Sequence, residues 1–386
     1  MTTPPDNAAP SPPRPLDGLR AMIDAVDHEM LDLLARRNAL VGEIAAYKRA
    51  HGVAIRDRRR EREILADRCR RAERVGLRPE VIESMLRLML WASRDRQAAL
   101  RAEVPPDLPP RTVAVIGGRG QMGRCMAGLF ADLGHTVVTA DVDTTPSPTD
   151  AASTADVVII SVPVDSTVEV IRDLGPRVPK ESLLMDVTSI KAEPVQAMLE
   201  ASQASVVGTH PLFGPSVHSL QGQRMVLTPG RGEQWYGWLG QMLRARGLLL
   251  VEATPADHDR AMAVVQVLTH FATEVMGRAL AETGVPLTET LNYTSPVYLM
   301  EMLMTARHFA QSPELYASIQ MSNPLTREVT EAFVRAAGEH EKVVQSGDRK
   351  AITDLFEQVR GYFGEFTDRA LEQSSYMIDR LVERQE

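Results

Sequence analysis

Three groups of residues have types and spacings that can do chemistry. The first is Gly118-x-Gly120-x-x-Gly123, preceded by the apolar run Val113–Ile116 and followed by a helix-compatible run, Arg124–Leu133. In that setting Gly118 permits a tight turn, Gly120 lets the backbone approach a pyrophosphate, and Gly123 lets helix and strand pack closely. Gln121 and Met122 complete a first helical turn whose free N–H groups and positive dipole end suit phosphates. A second apolar run, His135–Ala140, ends in Asp141, at the spacing expected for an acceptor of the ribose 2′-hydroxyl. A carboxylate there favours NAD⁺ over NADP⁺. The second group is Ser189, Lys191 and His210. Each closely follows or ends an apolar run, as do Ser161 and Pro163. Ligands of open α/β sheets collect at the carboxyl ends of strands, so these residues are expected to converge beside a nicotinamide. His210, read here as a loop residue, then has the chemistry of a general base.

The third group is basic. Arg37 and Lys48 are eleven residues apart on a helical pattern, which returns them to within about 20° of one another, roughly 16 Å apart along the axis. Two long side chains leaning together can close on a small anion. Arg20 lies another seventeen residues back, about 25 Å farther and well round the helix. It can share such a site only from a second copy of the chain. Asp57, Arg60 and Glu61 follow the helix break, and Ser93 and Gln97 stand i,i+4 on one helical face.

The elements that position these groups follow from periodicity. Met1–Pro15, with six prolines, reads as a disordered tail. Leu16–His51 repeats apolar residues at helical spacing, with Asp17 as expected N-cap and Gly52 as stop. A helix of that length is a rod of roughly 50 Å, too long to bury its stripe on a short neighbour, so a partner chain is expected. Arg59–Arg74 and Pro79–Leu100 read as two further helices, and Glu103–Pro110, carrying four prolines, as a stiff linker. Beyond Arg111, apolar runs at Val113–Ile116, Thr136–Ala140, Val157–Val162, Leu183–Val187, Ser205–Gly208, Arg224–Leu227 and Leu248–Val251 alternate with helical stretches, the pattern of a doubly wound sheet. From Thr254 the chain reads as helices alone: His258–Thr283, Thr288–Ala310, Pro313–Met321, Pro324–Ser346 and Lys350–Glu386. The expected domains are therefore an all-α segment over 16–102, a linker over 103–111, a Rossmann-type domain over 112–253 and a helical substrate and dimerisation domain over 254–386.

Composition narrows the classes. Two cysteines in 386 residues, Cys69 and Cys125, argue against a disulfide framework and suit a reducing cytoplasm. No apolar run approaches the roughly 18 residues that span a bilayer. Residues 16–102 hold 19 Lys/Arg against 14 Asp/Glu in a chain of net charge −8, so the helical segment is the basic part. With no zinc-finger spacing, no RNP-like strand and no basic-leucine repeat, a small polyanion is a better expectation than nucleic acid, and no metal is expected.

The residues also carry resemblances. Leu19-Arg20-x-x-Ile23-Asp24-x-x-Asp27, Leu33-Leu34-Ala35-Arg36-Arg37, Lys48, Arg60-Glu61-Arg62-Glu63 and Gln97 resemble the all-helical class of chorismate mutase. That resemblance implies an intertwined dimer of long helices in which Arg20 crosses from the other subunit. It implies that Arg20 and Arg37 grip the two carboxylates of chorismate, Lys48 and Gln97 donate to the ether oxygen, Arg60 supports the pocket and Glu61 accepts from the ring hydroxyl, with Asp57 and Ser93 beside them. The glycine loop, Ser189, Lys191, His210, Ser295-Pro296-Val297-Tyr298 and Arg307-His308-Phe309-Ala310-Gln311 resemble prephenate dehydrogenase over nearly all of residues 112–370. Together the halves resemble the bifunctional mutase–dehydrogenase family of bacterial tyrosine biosynthesis. The second resemblance implies a base at His210, an orienting hydroxyl at Ser189, carboxylate binding by Arg307, electrostatic help from Lys191, and His258 and His270 lining the cleft. It also implies tyrosine as a feedback inhibitor. Leu299 departs from relatives that carry arginine at that position. The competing expectation is an arogenate dehydrogenase whose helical segment is a regulatory, dimerising module.

Overall fold

The computed structural model of the chain describes residues 14–101, 103–105 and 108–382. The expectation for the tail lies outside the described residues apart from Arg14 and Pro15, as does Pro106 of the linker. The chain divides into two compact units, residues 1–109 with 217–223 and 241–249, and residues 110–216 with 224–240 and 250–386.

The first unit is built on three helices, α1 (Leu16–His51), α2 (Arg58–Arg74) and α3 (Pro79–Ala99). Pro15, not Asp17, occupies the N-cap of α1, and its carbonyl accepts from Leu19 N–H at 3.1 Å. Asp17 stands instead in the first turn, where a carboxylate complements the helix dipole. Gly52, at φ 62°, ends the helix in the left-handed conformation and donates to the Lys48 carbonyl. Both α1 and α2 pack on α3, with Ala45, Ile55 and Ala98 clustered between them. Only Val41 and Ala45 of α1 are buried. Leu19, Met22, Ile23, Val26, Met30, Leu33, Leu34, Leu40 and Ile44 all remain exposed within one chain.

The second unit holds β1 (Thr112–Ile116), α4 (Gln121–Asp132), β2 (Thr136–Ala140), α5 (Pro148–Thr154), β3 (Val157–Ile160), α6 (Val164–Leu174), β4 (Leu183–Asp186), α7 (Ala192–Ala201), β5 (Ser205–Pro211) and β6 (Arg224–Arg231). They are followed by α8 (Glu233–Ala245) and β7 (Leu249–Glu252). The seven strands form one sheet in the order β2-β1-β3-β4-β5-β6-β7. Strands β1 to β5 are parallel, and β6 runs antiparallel to β5. The central strands β3 and β4 are buried throughout, which is why they read as unbroken apolar runs. Strand β5 runs three residues past its expected end. Thr209, His210 and Pro211 pair with Leu227, Val226 and Met225, so His210 lies on a strand and not in a loop.

The helical remainder comprises α9 (Pro255–Met262), a π-helical segment over Ala263–Leu268, α10 (Thr269–Glu282), α11 (Leu287–Asn292), α12 (Pro296–Phe309), α13 (Pro313–Ser322), α14 (Thr326–Ser346), α15 (Arg349–Phe363) and α16 (Phe366–Val382). Two of the expected helices are broken. The first stops before Ser295, whose hydroxyl accepts from Tyr298 N–H at 3.1 Å to start α12 with Pro296 in its first turn. The second breaks at Gly364, whose φ of 52° no helix continues. Among the described residues no helix is long and apolar enough to cross a membrane.

Candidate active sites

In the first unit the break after α1 and the face of α3 bring most of the basic group together. Arg37 donates to the Ser93 hydroxyl at 2.5 Å. Gln97, one turn on and buried, donates its Nε2 to the Ser93 carbonyl at 3.1 Å and leaves its Oε1 buried without a partner. Lys48 reaches over the break to the Ile55 carbonyl at 2.6 Å, and the Ile55 N–H donates to Glu103 at 2.5 Å. Partial burial pulls the Lys48 pKa below its usual value, against the opposing pull of Glu103, Asp57 and Glu61. Glu61 is already shared, paired with Arg94 and, at 3.6 Å, with Arg56. Asp57 is the N-cap of α2: its carboxylate accepts from Arg60 N–H at 2.9 Å, and that bond, the largest cause, lowers its pKa. Asp57 thereby fixes the start of the helix that carries Arg60 and Glu61. The Arg60 side chain is largely exposed and meets Glu63 at 3.7 Å. Arg20 touches only Asp17 at 3.4 Å, far along the rod from Arg37 and Lys48. Arg94 and Glu103 escaped the sequence reading, because nothing in their spacing marks them off from other surface charges.

In the second unit the glycine loop joins β1 to α4. Gly117, outside the expected motif, has φ 79°, and a Cβ there would collide with the Ser161 carbonyl oxygen. A Cβ on Gly123 would collide with the Gly117 carbonyl oxygen. Gly120 is the N-cap of α4 and supplies no side-chain cap, so the N–H groups of Gln121, Met122 and Gly123 open the helix uncovered by side chains. Pro163 caps α6 at the end of β3, next to Ser161. The Asp141 carboxylate follows β2 and accepts from Arg119 N–H at 3.2 Å and from its neighbour Val142 N–H at 3.0 Å. Arg119 itself reaches Asp143 at 2.5 Å. The loop, the helix start and the acidic strand end fit a dinucleotide's pyrophosphate and ribose.

Beyond β4 and β5 the three expected residues are all buried. Ser189 is 9% exposed, and its Oγ is buried with no partner. Lys191 is fully buried, its ammonium paired with Asp186 and donating to the Thr209 carbonyl at 2.7 Å. Burial lowers its pKa, opposed by the Asp186 carboxylate. The Lys191 charge stands close enough to His210 to lower that residue's pKa. His210 is buried on β5, its Nδ1 2.9 Å from His258 Nε2 and its Nε2 3.4 Å from the Gln266 amide nitrogen. Burial, then the charges of His258 and Lys191, push its pKa well below the usual histidine value. His258 is 2% exposed, with its Nδ1 2.8 Å from the Asp259 carboxylate. Its two ring nitrogens are thus engaged by His210 and Asp259. Asp259 also accepts from the backbone N–H groups of Lys191 at 2.8 Å and Ala192 at 2.9 Å. Burial alone would raise its pKa, but His258 and those two amides outweigh it, and the pKa is lowered.

A separate cluster lies among the C-terminal helices. His308 meets Glu274 at 3.0 Å, and Gln320 donates to the same carboxylate at 2.8 Å. The Tyr316 ring lies tilted against His308, centroids 4.0 Å apart, and edge-on to His270 at 4.6 Å. Burial first, then His308, lowers the His270 pKa from 6.5 to about 4. Glu274, His308, Phe309, Tyr316 and Met321 line a cavity of about 520 Å³. Arg307 is exposed on α12 with His308 turned inward, and Leu299, two turns earlier, is half-buried. Among the described residues no grouping of His, Cys, Asp and Glu could hold a metal ion.

Comparison with known proteins covers both halves. Residues 19–98 match the family model for chorismate mutase type II. Residues 132–250 match that for the prephenate dehydrogenase nucleotide-binding domain, and 254–358 that for the prephenate dehydrogenase dimerization domain. The chain is 37% identical over 365 residues to the T-protein of Enterobacter agglomerans, covering 94% of this chain and 97% of that one. It is 32% identical over 367 residues to the T-protein of Haemophilus influenzae, covering 95% and 97%. Among solved structures, an Aquifex aeolicus prephenate dehydrogenase in complex with hydroxyphenyl propionate and NAD⁺ shares the fold. The TM-score is 0.55 at 17% identity, over 66% of this chain and 97% of that one.

Proposed function

Because the chain belongs to the T-protein family, we propose that its two reactions divide between the two constellations just described. It is a bifunctional enzyme of tyrosine biosynthesis, a chorismate mutase joined to an NAD-dependent prephenate dehydrogenase. The mutase reaction is a pericyclic rearrangement of a dianion, so the protein need only hold the folded conformer and stabilise charge on the breaking ether oxygen. Arg37 grips a carboxylate, while Lys48 and the Gln97 amide nitrogen, which now donates to the Ser93 carbonyl, donate to the ether oxygen. Ser93 and Arg60 support the pocket, and Glu61 accepts from the ring hydroxyl. Arg20 completes the site from a second copy. A homodimer is supported by the bare apolar stripe of α1 and by the match of the C-terminal helices to a dimerization-domain model.

In the dehydrogenase half, NAD⁺ held by Gly118, Gly120, Gln121, Met122, Gly123 and Asp141, with Ser161 and Pro163 flanking its nicotinamide, supplies the hydride acceptor. The 4-hydroxyl of prephenate gives its proton to His210 as hydride leaves C4. The ring carboxylate, bound by Arg307, then leaves as CO₂, and its bonding electrons restore the aromatic ring. The oxygen at C4 takes the proton back. Ser189 carries this reading: a buried hydroxyl with no partner, at the carboxyl end of the sheet that holds His210, lacks only a substrate oxygen to bond. His270 packs edge-on against Tyr316, which lines the cavity among the C-terminal helices. Tyrosine is the feedback ligand, and two cysteines, neither in a disulfide, suit a cytoplasmic enzyme. Supplying chorismate and NAD⁺ together tests the whole: NADH must form with no prephenate added. Failure to form it, while added prephenate does reduce NAD⁺, removes the mutase assignment.

A further inference from the structure

We propose that His258 and Asp259 are positioning residues for the dehydrogenase reaction: two consecutive hydrogen bonds hold His210 in the tautomer whose Nε2 is bare and turned to the substrate. This rests on His210 as the base, and it follows from counting donors along one buried line. Asp259 is pinned at the start of α7, one oxygen accepting from Lys191 N–H at 2.8 Å and the other from Ala192 N–H at 2.9 Å. An ionised carboxylate only accepts, so the proton in its 2.8 Å bond with His258 sits on His258 Nδ1. The Nε2 of a neutral His258 is then a lone pair. That lone pair stands 2.9 Å from His210 Nδ1, which must be the donor. The remaining nitrogen of His210 carries no proton, and the group beside it is the amide nitrogen of Gln266 at 3.4 Å, a donor suited to a lone pair.

The arrangement solves a problem that burial creates. An isolated neutral imidazole populates both tautomers, and only one offers Nε2 as an acceptor. Fixing it removes that loss and orients the ring. When the 4-hydroxyl O–H bond breaks, its proton goes to His210 Nε2, the cation is met by the His258 lone pair, and the Asp259 charge lies one ring farther on. After CO₂ departs the same proton returns to the oxygen at C4, so the line takes up and releases no net proton. Gln266 fills the acceptor until the hydroxyl arrives.

The test compares His258→Phe and His258→Gln in the full-length enzyme, with His210→Asn in parallel. Phenylalanine keeps the ring shape and removes the acceptor. Glutamine returns an amide oxygen where His258 Nε2 stood. The expected result is a fall in kcat of about 100-fold or more for His258→Phe, with KM for prephenate and the dissociation constant of NAD⁺ unchanged. His258→Gln recovers most of the loss. Equal losses in both variants with NAD⁺ affinity intact overturn the proposal, as does a His258→Phe enzyme of wild-type kcat. If His258→Phe loses NAD⁺ affinity, His258→Leu provides the acceptor-free comparison. A His210→Asn enzyme of wild-type kcat removes the base itself. An inactive His210→Asn beside a fully active His258→Phe removes the relay alone.

Discussion

Replacing Lys191 by methionine separates two readings of a lysine that the sequence places among the substrate ligands. Its ammonium and the Asp186 carboxylate are both wholly buried. Removing the ammonium leaves Asp186 with the Thr188 N–H at 3.0 Å, the Thr188 hydroxyl and a long contact from Thr209 N–H at 3.4 Å. The Thr209 carbonyl loses its donor at the same time. Breaking a buried pair from one side costs about 3–5 kcal/mol, because the other charge stays behind. For a unit of this size, at about 2 °C per kcal/mol, that is a fall of roughly 6–10 °C in midpoint. The assay is thermal unfolding of the full chain, following the transition that NAD⁺ shifts upward, since a ligand stabilises only the part that binds it. KM for prephenate, measured well below that transition, should stay near wild type. Adding Asp186→Asn should recover about 2 kcal/mol, since it removes the stranded charge. An unchanged midpoint together with a tenfold or greater rise in KM would refute the structural role and return Lys191 to the substrate.

Three further outcomes are expected. Lys48→Ala should cut chorismate turnover by about 10²–10³-fold, the scale of losing one donor to a developing oxyanion, while prephenate-dependent NADH formation survives; equal loss of both activities refutes the two-site division. Arg307→Ala should chiefly raise KM for prephenate, and an unchanged KM rules out its carboxylate role. His270 has a folded pKa of about 4 against 6.5 unfolded, so between those values the unfolded chain binds more proton and stability falls as pH falls. His270→Gln should flatten the pH dependence of the NAD⁺-shifted midpoint across that window, and an unaltered slope assigns the acid sensitivity elsewhere.

What the sequence carried was local. The glycine loop is readable because backbone sterics demand glycine at fixed offsets, and α1 because its apolar residues repeat at 3.6 for ten turns. The breaks at Ser295 and Gly364 were hidden inside continuing apolar patterns, since one capping hydroxyl or one positive φ interrupts a helix without disturbing the periodicity on either side. The surroundings of His258 and Lys191 were the least legible. Both are polar residues near the chemistry, and their roles depend on which neighbours face them. Asp259, 49 positions after His210, has no spacing relation to it. Only the docking of α9 against the start of α7 brings that carboxylate into line.

The length of α1 sets a further condition on the enzyme. Its 36 residues extend about 54 Å, while the 21 of α3, the helix it packs on, extend about 32 Å. Some four turns of apolar surface therefore have no counterpart in their own chain, and Arg20 rides on that overhang. Water is a poor solvent for so long a bare ridge, so folding of this unit and association of two copies are one equilibrium, governed by protomer concentration. The sheet of the second unit packs a core of its own, while the helices after it match a dimerization-domain model. On dilution the first reaction should therefore weaken as protomer concentration falls, through a first-order dissociation, ahead of any loss of the sheet's own fold.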